Sequence, residues 1–586
     1  MHELWQRLSA QLAVWFPRTA AYLKESSNPH VTVPVRQVST PKKAASKPPS
    51  TGYVPFKISQ ASINAMREKV QQAVAAGLIS EPSSEQWAMI VCKKPITRVF
   101  AGAGSGKSAT LVLRVLFMLA HLGVERSSVT VISFTNASCQ ELRERLLKLS
   151  AFWQYPLSQD DATQLVRTFH SAMGVQARSL GADSGWFEQL GSQSAELDQP
   201  SASLKPVQVA LLKQAFDQAC QTPGFLPALK LLGVEAKADA PYRLAGMLRA
   251  APLVELFYQE ASFAQSIGLE VSTLDALPCL NAKDHAFVQA LSLFWPHFSA
   301  CLAAQGLRTF DQAFIQLTQT PAPLSVLAPL QHVLIDEFQD ISAHILKWLL
   351  SAQSCLAGQG RAVSLMAIGD DWQSIYGWRG SSPELFIELD RHLKNYGIVQ
   401  KSHVLHFVTN YRCCDAVLAQ AQRTLDKVAL KQDKACVAFT QSTQPNEAVR
   451  VVEGFDSRTQ LAEVVQLIAR ISAQTPEATV LVLSRRNQIL KRLKPLVGAN
   501  KAVRLLSIHS AKGLQASVAI ILDDCHAPLA HPVRNALYAR AGLFGLSYDQ
   551  AMADENLRLG YVAMTRAMQQ VVWFTQKRQG ASLGLT

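Results

Sequence analysis

The sequence predicts an α/β protein built from two domains with parallel sheets, with an all-helical insertion in the first. Three observations predict it. From about residue 83 onward, short apolar runs alternate with stretches of helical period, the pattern of strands buried on both faces and joined by crossover helices. Between about 176 and 300 the alternation lapses into long helical patterns with few strand candidates. The chain has 586 residues, more than one core organises at roughly 100 to 200 residues per domain.

Composition narrows the function classes. There are 57 Lys and Arg against 44 Asp and Glu, a net charge of +13, with 48% hydrophobic and 17% charged residues. Such a chain folds, and its charge suits an anionic partner, nucleic acid ahead of a membrane surface. No run of 18 or more charge-free apolar residues stands out, so no membrane span is expected. Ten cysteines are scattered without a CxxC pair, which reads as reduced thiols in a cytoplasmic protein.

In chain order, Leu4, Trp5, Leu8, Leu12, Trp15 and Phe16 recur at helical spacing up to Pro17 and predict a short amphipathic helix. It suits either a protein partner or packing on the chain's own body, and lacks the marks of a secretory signal. From 28 to 60 no acidic residue occurs and prolines alternate with Arg and Lys, a basic extended linker. Helix and linker together make an N-terminal region, 1–82. The first sheet domain takes 83–175 and 301–395, with strands expected at 98–101, 129–134, 333–335 and 364–368. The insertion, 176–300, carries helical patterns at 206–219, 240–251 and 283–304. The second sheet domain, 396–586, has strand candidates at 403–407, 449–454, 479–484, 503–507, 518–523 and 570–574.

Ala101-Gly102-Ala103-Gly104-Ser105-Gly106-Lys107-Ser108 lies between a strand and a helix, the setting of a phosphate-binding loop. Its glycines let successive N–H groups converge on a phosphate at the positive end of the helix. Lys107 would reach the β and γ phosphates of a nucleotide, and the Ser108 hydroxyl would hold Mg²⁺. Ala101 stands where the strict pattern has Gly. The buried run 333–335 ends in Asp336 and Glu337. Asp336 suits the Mg²⁺ shell, and Glu337 can orient a water and take its proton.

Further motifs then follow in order: Gln86 after Glu85; Phe134-Thr135-Asn136; Thr168-Phe169-His170-Ser171; Asp336-Glu337-Phe338-Gln339-Asp340; and Gly369 to Gly380, containing Trp372, Gln373, Tyr376, Trp378 and Arg379. They continue with Asn410-Tyr411-Arg412, His509-Ser510-Ala511-Lys512-Gly513-Leu514 and Tyr561 to Ala567, which includes Arg566. With these, the chain from Glu85 to about Trp573 resembles the UvrD/Rep/PcrA family of superfamily 1 DNA helicases, and Trp372 points to its helicase IV subgroup. The resemblance implies two RecA-like domains of the P-loop NTPase class with ATP between them. Gln86 would read the adenine edge, Tyr411 would stack on it, and Gly513 and Gln515 would line the nucleotide. Gln373 would sense the γ phosphate, while Arg412 and Arg566 would act as arginine fingers. Single-stranded DNA, or the single-stranded tail of a duplex, would run over both domains along Phe134, Thr135, Asn136, Phe169, His170, Tyr376, Trp378, Arg379 and His509, with movement 3′ to 5′.

The chain departs from that pattern at Ala109, Ala137 and Gln515, where the family often has Arg, Lys and Glu. Only about twenty residues separate Asn487 from His509, where UvrD and Rep insert a large mobile domain. No nuclease domain is expected after Gln576. Translocation is therefore expected ahead of processive strand separation. The alternative is an ATP-switched remodelling factor regulated by a protein partner.

Overall fold

The structure, a computed structural model, describes residues 52–179, 185–190, 204–278, 281–523 and 529–585. The expected N-terminal helix and most of the linker lie outside the described residues. Two parallel sheets carry the architecture, as the alternating runs predict.

The first sheet contains β1 (Ile96–Ala101), β2 (Val129–Ser133), β3 (Val166–Thr168), β4 (His332–Ile335), β5 (Ser364–Gly369) and β6 (His403–Phe407), in the order β6-β1-β5-β4-β2-β3. Every residue of β1, β2, β4 and β5 is buried, because helices cover both faces. Its register pairs Ala101 with Phe407, Phe100 with Gly369, Ile335 with Ala367 and Ile132 with Ile335. The carboxyl ends of β1, β4 and β5 therefore finish side by side, the edge where open α/β sheets bind ligands. The segment 403–407 was assigned to the second domain by its place in the alternation. It instead pairs with β1 as an outer strand, so the first sheet extends past 395. Alternation identifies a strand, but its partner is a tertiary choice.

The chain before residue 83 also departs from expectation. Helix Gln60–Ala75 buries Met66, Val70 and Ala73, and the Tyr53 hydroxyl donates to the Gln353 side chain at 2.9 Å. Residues from 52 onward thus pack on the first sheet domain rather than forming a solvated linker up to 82. Spacing of apolar residues by three and four is the signal that basic composition obscured.

The insertion holds helices Pro206–Ala219, Phe225–Leu232, Leu253–Ser266 and Ala282–Ala304 around an aromatic core of Phe216, Phe225, Phe257, Phe287, Phe294 and Phe298. The stretch 240–251 is not helical. It holds a short antiparallel pairing of Pro241–Tyr242 with Ala251–Pro252 around Gly246, whose φ is +93°. Ala282–Ala304 is long and apolar enough to cross a membrane by length and composition alone. It is mostly buried as the central helix of this core.

In the second half, β7 (Thr409–Cys414) and β8 (Val437–Thr440) pair with each other. The strands β9 (Val449–Val452), β10 (Val480–Ser484), β11 (Val503–Ser507), β12 (Ala516–Leu522) and β13 (Ala567–Phe574) form a parallel sheet in the order β9-β13-β12-β10-β11. Between β10 and β11 stands only helix Asn487–Val497. Helix Pro532–Ala541 and the start of helix Tyr548–Met564 join the insertion's core through Val533, Leu537, Tyr538, Tyr548 and Met552. There the Arg534 guanidinium, 4.1 Å over the Phe263 ring, grips Glu260 at 2.7 Å and donates to the Tyr548 hydroxyl at 2.8 Å.

Candidate nucleotide site and nucleic-acid interface

Gly104 and Gly106 adopt φ of +66° and +79°, the left-handed conformation that folds the loop after β1 back over helix Lys107–Leu116. A Cβ on Gly104 would meet the Cβ of Arg412 at 2.5 Å, and one on Gly106 the Gln86 amide nitrogen at 2.7 Å. The loop is held on both sides. Gln86, set in a capping box with Ser83, donates to the Ser105 carbonyl at 3.0 Å. Tyr411 N–H donates to the Gly104 carbonyl at 3.0 Å, and the Asn410 amide to the Ala103 carbonyl at 2.7 Å. Ala101 is the fully buried last residue of β1, so its methyl packs into the core. Gly102 faces the Cys436 sulfur. The Ser105 hydroxyl is buried with no partner among the described residues, the kind of group a phosphate oxygen satisfies.

Asp336 and Glu337 follow β4 beneath this loop. The Lys107 ammonium lies 2.6 Å from Glu337, and the Ser108 hydroxyl donates to Asp336 at 3.3 Å. Glu337 sits at φ +58°, a left-handed conformation that costs a non-glycine residue about 1 kcal/mol or more and clusters at functional sites. Lys512 reaches in from the second half, 2.5 Å from Asp340 and 3.7 Å from Glu337. Burial, with Glu337 beside it, pushes Asp336 up to about 6. Burial also pushes Asp340 up to about 7 against the pull of Lys512. On Glu337 burial acts the same way, but Lys107 and Lys512 outweigh it and hold the carboxylate well below its ordinary range. Of the three carboxyls, Glu337 is the one whose proton affinity is lowered rather than raised.

Both expected arginine fingers converge here. Arg566, fully buried just ahead of β13, donates to the Gln373 side-chain oxygen at 3.0 Å and to the Val562 carbonyl at 2.9 Å. Burial, then the neighbouring Arg412, presses its guanidinium down to about 9. Arg412 donates to Gln515 at 3.2 Å and to the Thr565 carbonyl at 3.3 Å, and both arginines feel the Glu337 charge. Gln515, expected to line the nucleotide, accepts this bond from Arg412. Gly513 turns the chain at φ +86°. Tyr411 is half-exposed beside exposed Phe439, their rings 5.3 Å apart, an open aromatic pair next to Gly104.

The residues expected along DNA divide into two groups. Phe134, Tyr376 and His509 form one stack, with Phe134 5.1 Å and His509 5.7 Å from Tyr376, and Arg379 lies 4.5 Å over Trp378. Tyr376 is itself buried, so Phe134, Trp378, Arg379 and His509 offer the accessible faces of this group. Thr135 caps helix Asn136–Phe152, leaving Asn136 exposed at its start. Phe169 was expected in the groove, but it is buried in the first domain's core. A phenylalanine at a strand-to-helix junction reads the same in either role. His170 packs on Phe310 at 4.5 Å. Burial lowers both His170 and His509 to about 4, so each is a neutral ring near pH 7 rather than a phosphate-binding cation.

Three side chains that brace the site residues were given no role by the sequence reading. Asn410 accepts from Arg412 N–H and Cys413 N–H, each at 2.8 Å, fixing the turn that aims Arg412. Lys512 bridges the halves as described. Lys434, which pairs with Asp370 and Asp371, is a lone lysine in a loop, and no spacing rule marks it. Asn410 and Lys512 stood inside quoted motifs and were legible there.

A family described as UvrD/Rep helicase N-terminal domain matches residues 83–394. The chain is 25% identical over 514 residues to a probable DNA helicase of Mycoplasma pneumoniae, covering 83% of this chain and 82% of that protein. It is 25% identical over 500 residues to DNA helicase IV of Escherichia coli, with coverages of 81% and 65%. It is 27% identical over 338 residues to ATP-dependent DNA helicase PcrA of Leuconostoc citreum, with coverages of 56% and 37%. The chain thus spans most of the first relative and less than two thirds of the other two. A phosphate loop backed by Asp336 and Glu337 and faced by Arg412 and Arg566 agrees with those matches, and the chain belongs to the UvrD/Rep family of ATP-dependent DNA helicases.

Proposed function

We propose that the protein is a motor on single-stranded DNA, driven by ATP bound between its two sheets and moving 3′ to 5′ in the cytoplasm. One observation carries this reading: buried Gln373, after β5 of the first sheet, is hydrogen-bonded to buried Arg566 of the second half, within reach of the Glu337 charge. Chemistry at a γ phosphate placed there acts on both halves at once.

Among the described residues no cluster of three or more His, Cys, Asp or Glu could hold a metal alone. Mg²⁺ suits the site nevertheless, since it takes one or two protein ligands plus substrate phosphates. Ser108 and Asp336 would hold it, and it would neutralise charge on the phosphate oxygens. Lys107 exchanges Glu337 for the phosphates, and the freed carboxylate, already ionised, takes the proton of the attacking water. Arg412 and Arg566 supply positive charge as the transition state forms. Gln373 lies three residues before Tyr376, so a shift at the phosphate reaches the Phe134–Tyr376–His509 stack. Stacking grips any base by about 1 to 3 kcal/mol, so movement needs no sequence readout.

ATP hydrolysis measured with and without single-stranded DNA tests the proposal. Strong stimulation, abolished in Lys107→Ala, is expected; a rate indifferent to DNA contradicts it. The connection between β10 and β11, a single helix with no inserted domain, favours a second reading in which the cycle remodels a nucleoprotein without processive unwinding. Fork unwinding by the full chain separates the two, and robust strand separation counts against the second.

A further inference from the structure

Asp370 and Asp371 follow β5 and are fully buried, where carboxylates persist as anions only with a partner. That partner is Lys434, outside every motif named above. Its ammonium lies 2.5 Å from Asp370 and 2.6 Å from Asp371, with 2% of the side chain exposed, and 4.5 Å over the Trp372 ring. Burial works against its charge, but the two carboxylates outweigh it and keep it protonated. The segment around Lys434 is pinned on both sides. Ala429 and Leu430 N–H groups donate to Asp554 of helix Tyr548–Met564 at 2.9 and 3.0 Å. Gln432 N–H donates to Asp371 at 2.8 Å, and the Trp372 indole donates to the Gln432 carbonyl at 3.2 Å. The segment therefore joins the helix that leads to Arg566 to the turn that carries Gln373.

Asp370 divides its oxygens. Oδ1 faces Lys434, and Oδ2 accepts from the Gln373 amide nitrogen. The other end of that amide, Oε1, accepts from Arg566 at 3.0 Å. An ionised carboxylate only accepts, so it can hold only the NH₂ end of Gln373, which leaves the oxygen for a guanidinium that only donates. A neutral Asp370 could donate to the amide oxygen or accept from the amide nitrogen, and would set no such direction.

We infer that Lys434 is a positioning residue for ATP hydrolysis: by pairing with Asp370 it fixes the orientation of Gln373, and through Gln373 the placement of Arg566. The inference rests on the ATPase reading of this site. Stimulation of the wild-type enzyme by DNA is the separate readout of that reading.

Single-turnover hydrolysis with saturating single-stranded DNA is measured for Lys434→Gln, Gln373→Ala and the double variant, with binding of a fluorescent ADP analogue alongside. Lys434→Gln is expected to slow hydrolysis by about tenfold or more while ADP affinity stays within about twofold. The double variant should be no slower than Gln373→Ala alone, because the relay is already cut. Multiplied losses in the double variant, or an unchanged rate in Lys434→Gln, overturn the inference. If Lys434→Gln does not fold, Lys434→Arg takes its place in the same cycle, where any loss must again vanish beside Gln373→Ala. Asp371→Asn loosens the same loop and removes one of the two partners of Lys434 but spares the Asp370–Gln373 bond, so its loss should be clearly smaller than that of Lys434→Gln. A loss equal to that of Lys434→Gln would assign the effect to loop docking and overturn the inference as well.

Discussion

Glu337 combines a left-handed backbone, an ion pair with Lys107 and a carboxylate held ionised by two lysines. The proposed role as the base rests on its place beside Lys107 and on its being ionised. Glu337→Gln keeps the shape and removes the proton acceptor, so single-turnover hydrolysis should fall by about 10²- to 10⁴-fold while nucleotide binding persists. A loss under about tenfold would move the base elsewhere. At this scale the sequence was most readable where chemistry dictates residue type: Lys107, Ser108, Asp336, Glu337, Gln373, Arg412 and Arg566 all meet in one place. It was least readable where the same residue serves two ends. Phe169 fits a groove or a core equally, and Lys434 matters only through partners more than sixty positions away.

Helix Tyr548–Met564 links the elements around the site. Its Glu555 accepts from Gly377 N–H at 2.6 Å, one residue beyond Tyr376, and a Cβ on Gly377 would collide with Met552 and Glu555. Burial pushes Glu555 from an ordinary 4.5 up to about 7, with Gly377, Arg558 and Arg485 pulling the other way. Between those values the folded chain keeps a proton that the unfolded chain has released. The group's stabilising effect is complete below about pH 4.5 and is lost as pH rises through 7, by up to about 3 kcal/mol. Glu555→Gln keeps an acceptor for Gly377 but cannot titrate. Wild type should therefore lose a few degrees more melting temperature than the variant between pH 5 and 8; parallel pH profiles would contradict the assignment. Elements were legible by period alone, as helix Pro206–Ala219 and strands β10 to β13 attest, but their neighbours were not. β6 joined the other sheet, and 240–251 lost its helix to Gly246 and Pro241.

Across the whole molecule, the insertion is fastened to the second half by the buried Glu260–Arg534 pair as well as by apolar packing. Arg534→Ala strands an unpaired carboxylate and should cost about 3 to 5 kcal/mol in chemical denaturation. The double variant Glu260→Gln with Arg534→Met should lose clearly less; equal losses would mean that packing, not charge, fastens the insertion. No pattern in the sequence pairs residues 274 positions apart, so this clamp was invisible before the fold was known. The two sheets and the site between them were foreseeable because each half repeats one physical device, a buried strand ending in a functional loop.

In the function proposed, hydrolysis between the two sheets drives travel along one DNA strand. Arrival of the protein at a fluorophore on the 5′ end of single-stranded DNA, timed over a series of lengths, tests it most directly. The expected arrival time grows linearly with length in the presence of ATP, and no arrival is seen with Lys107→Ala. Arrival independent of length, or unchanged in that variant, would contradict it.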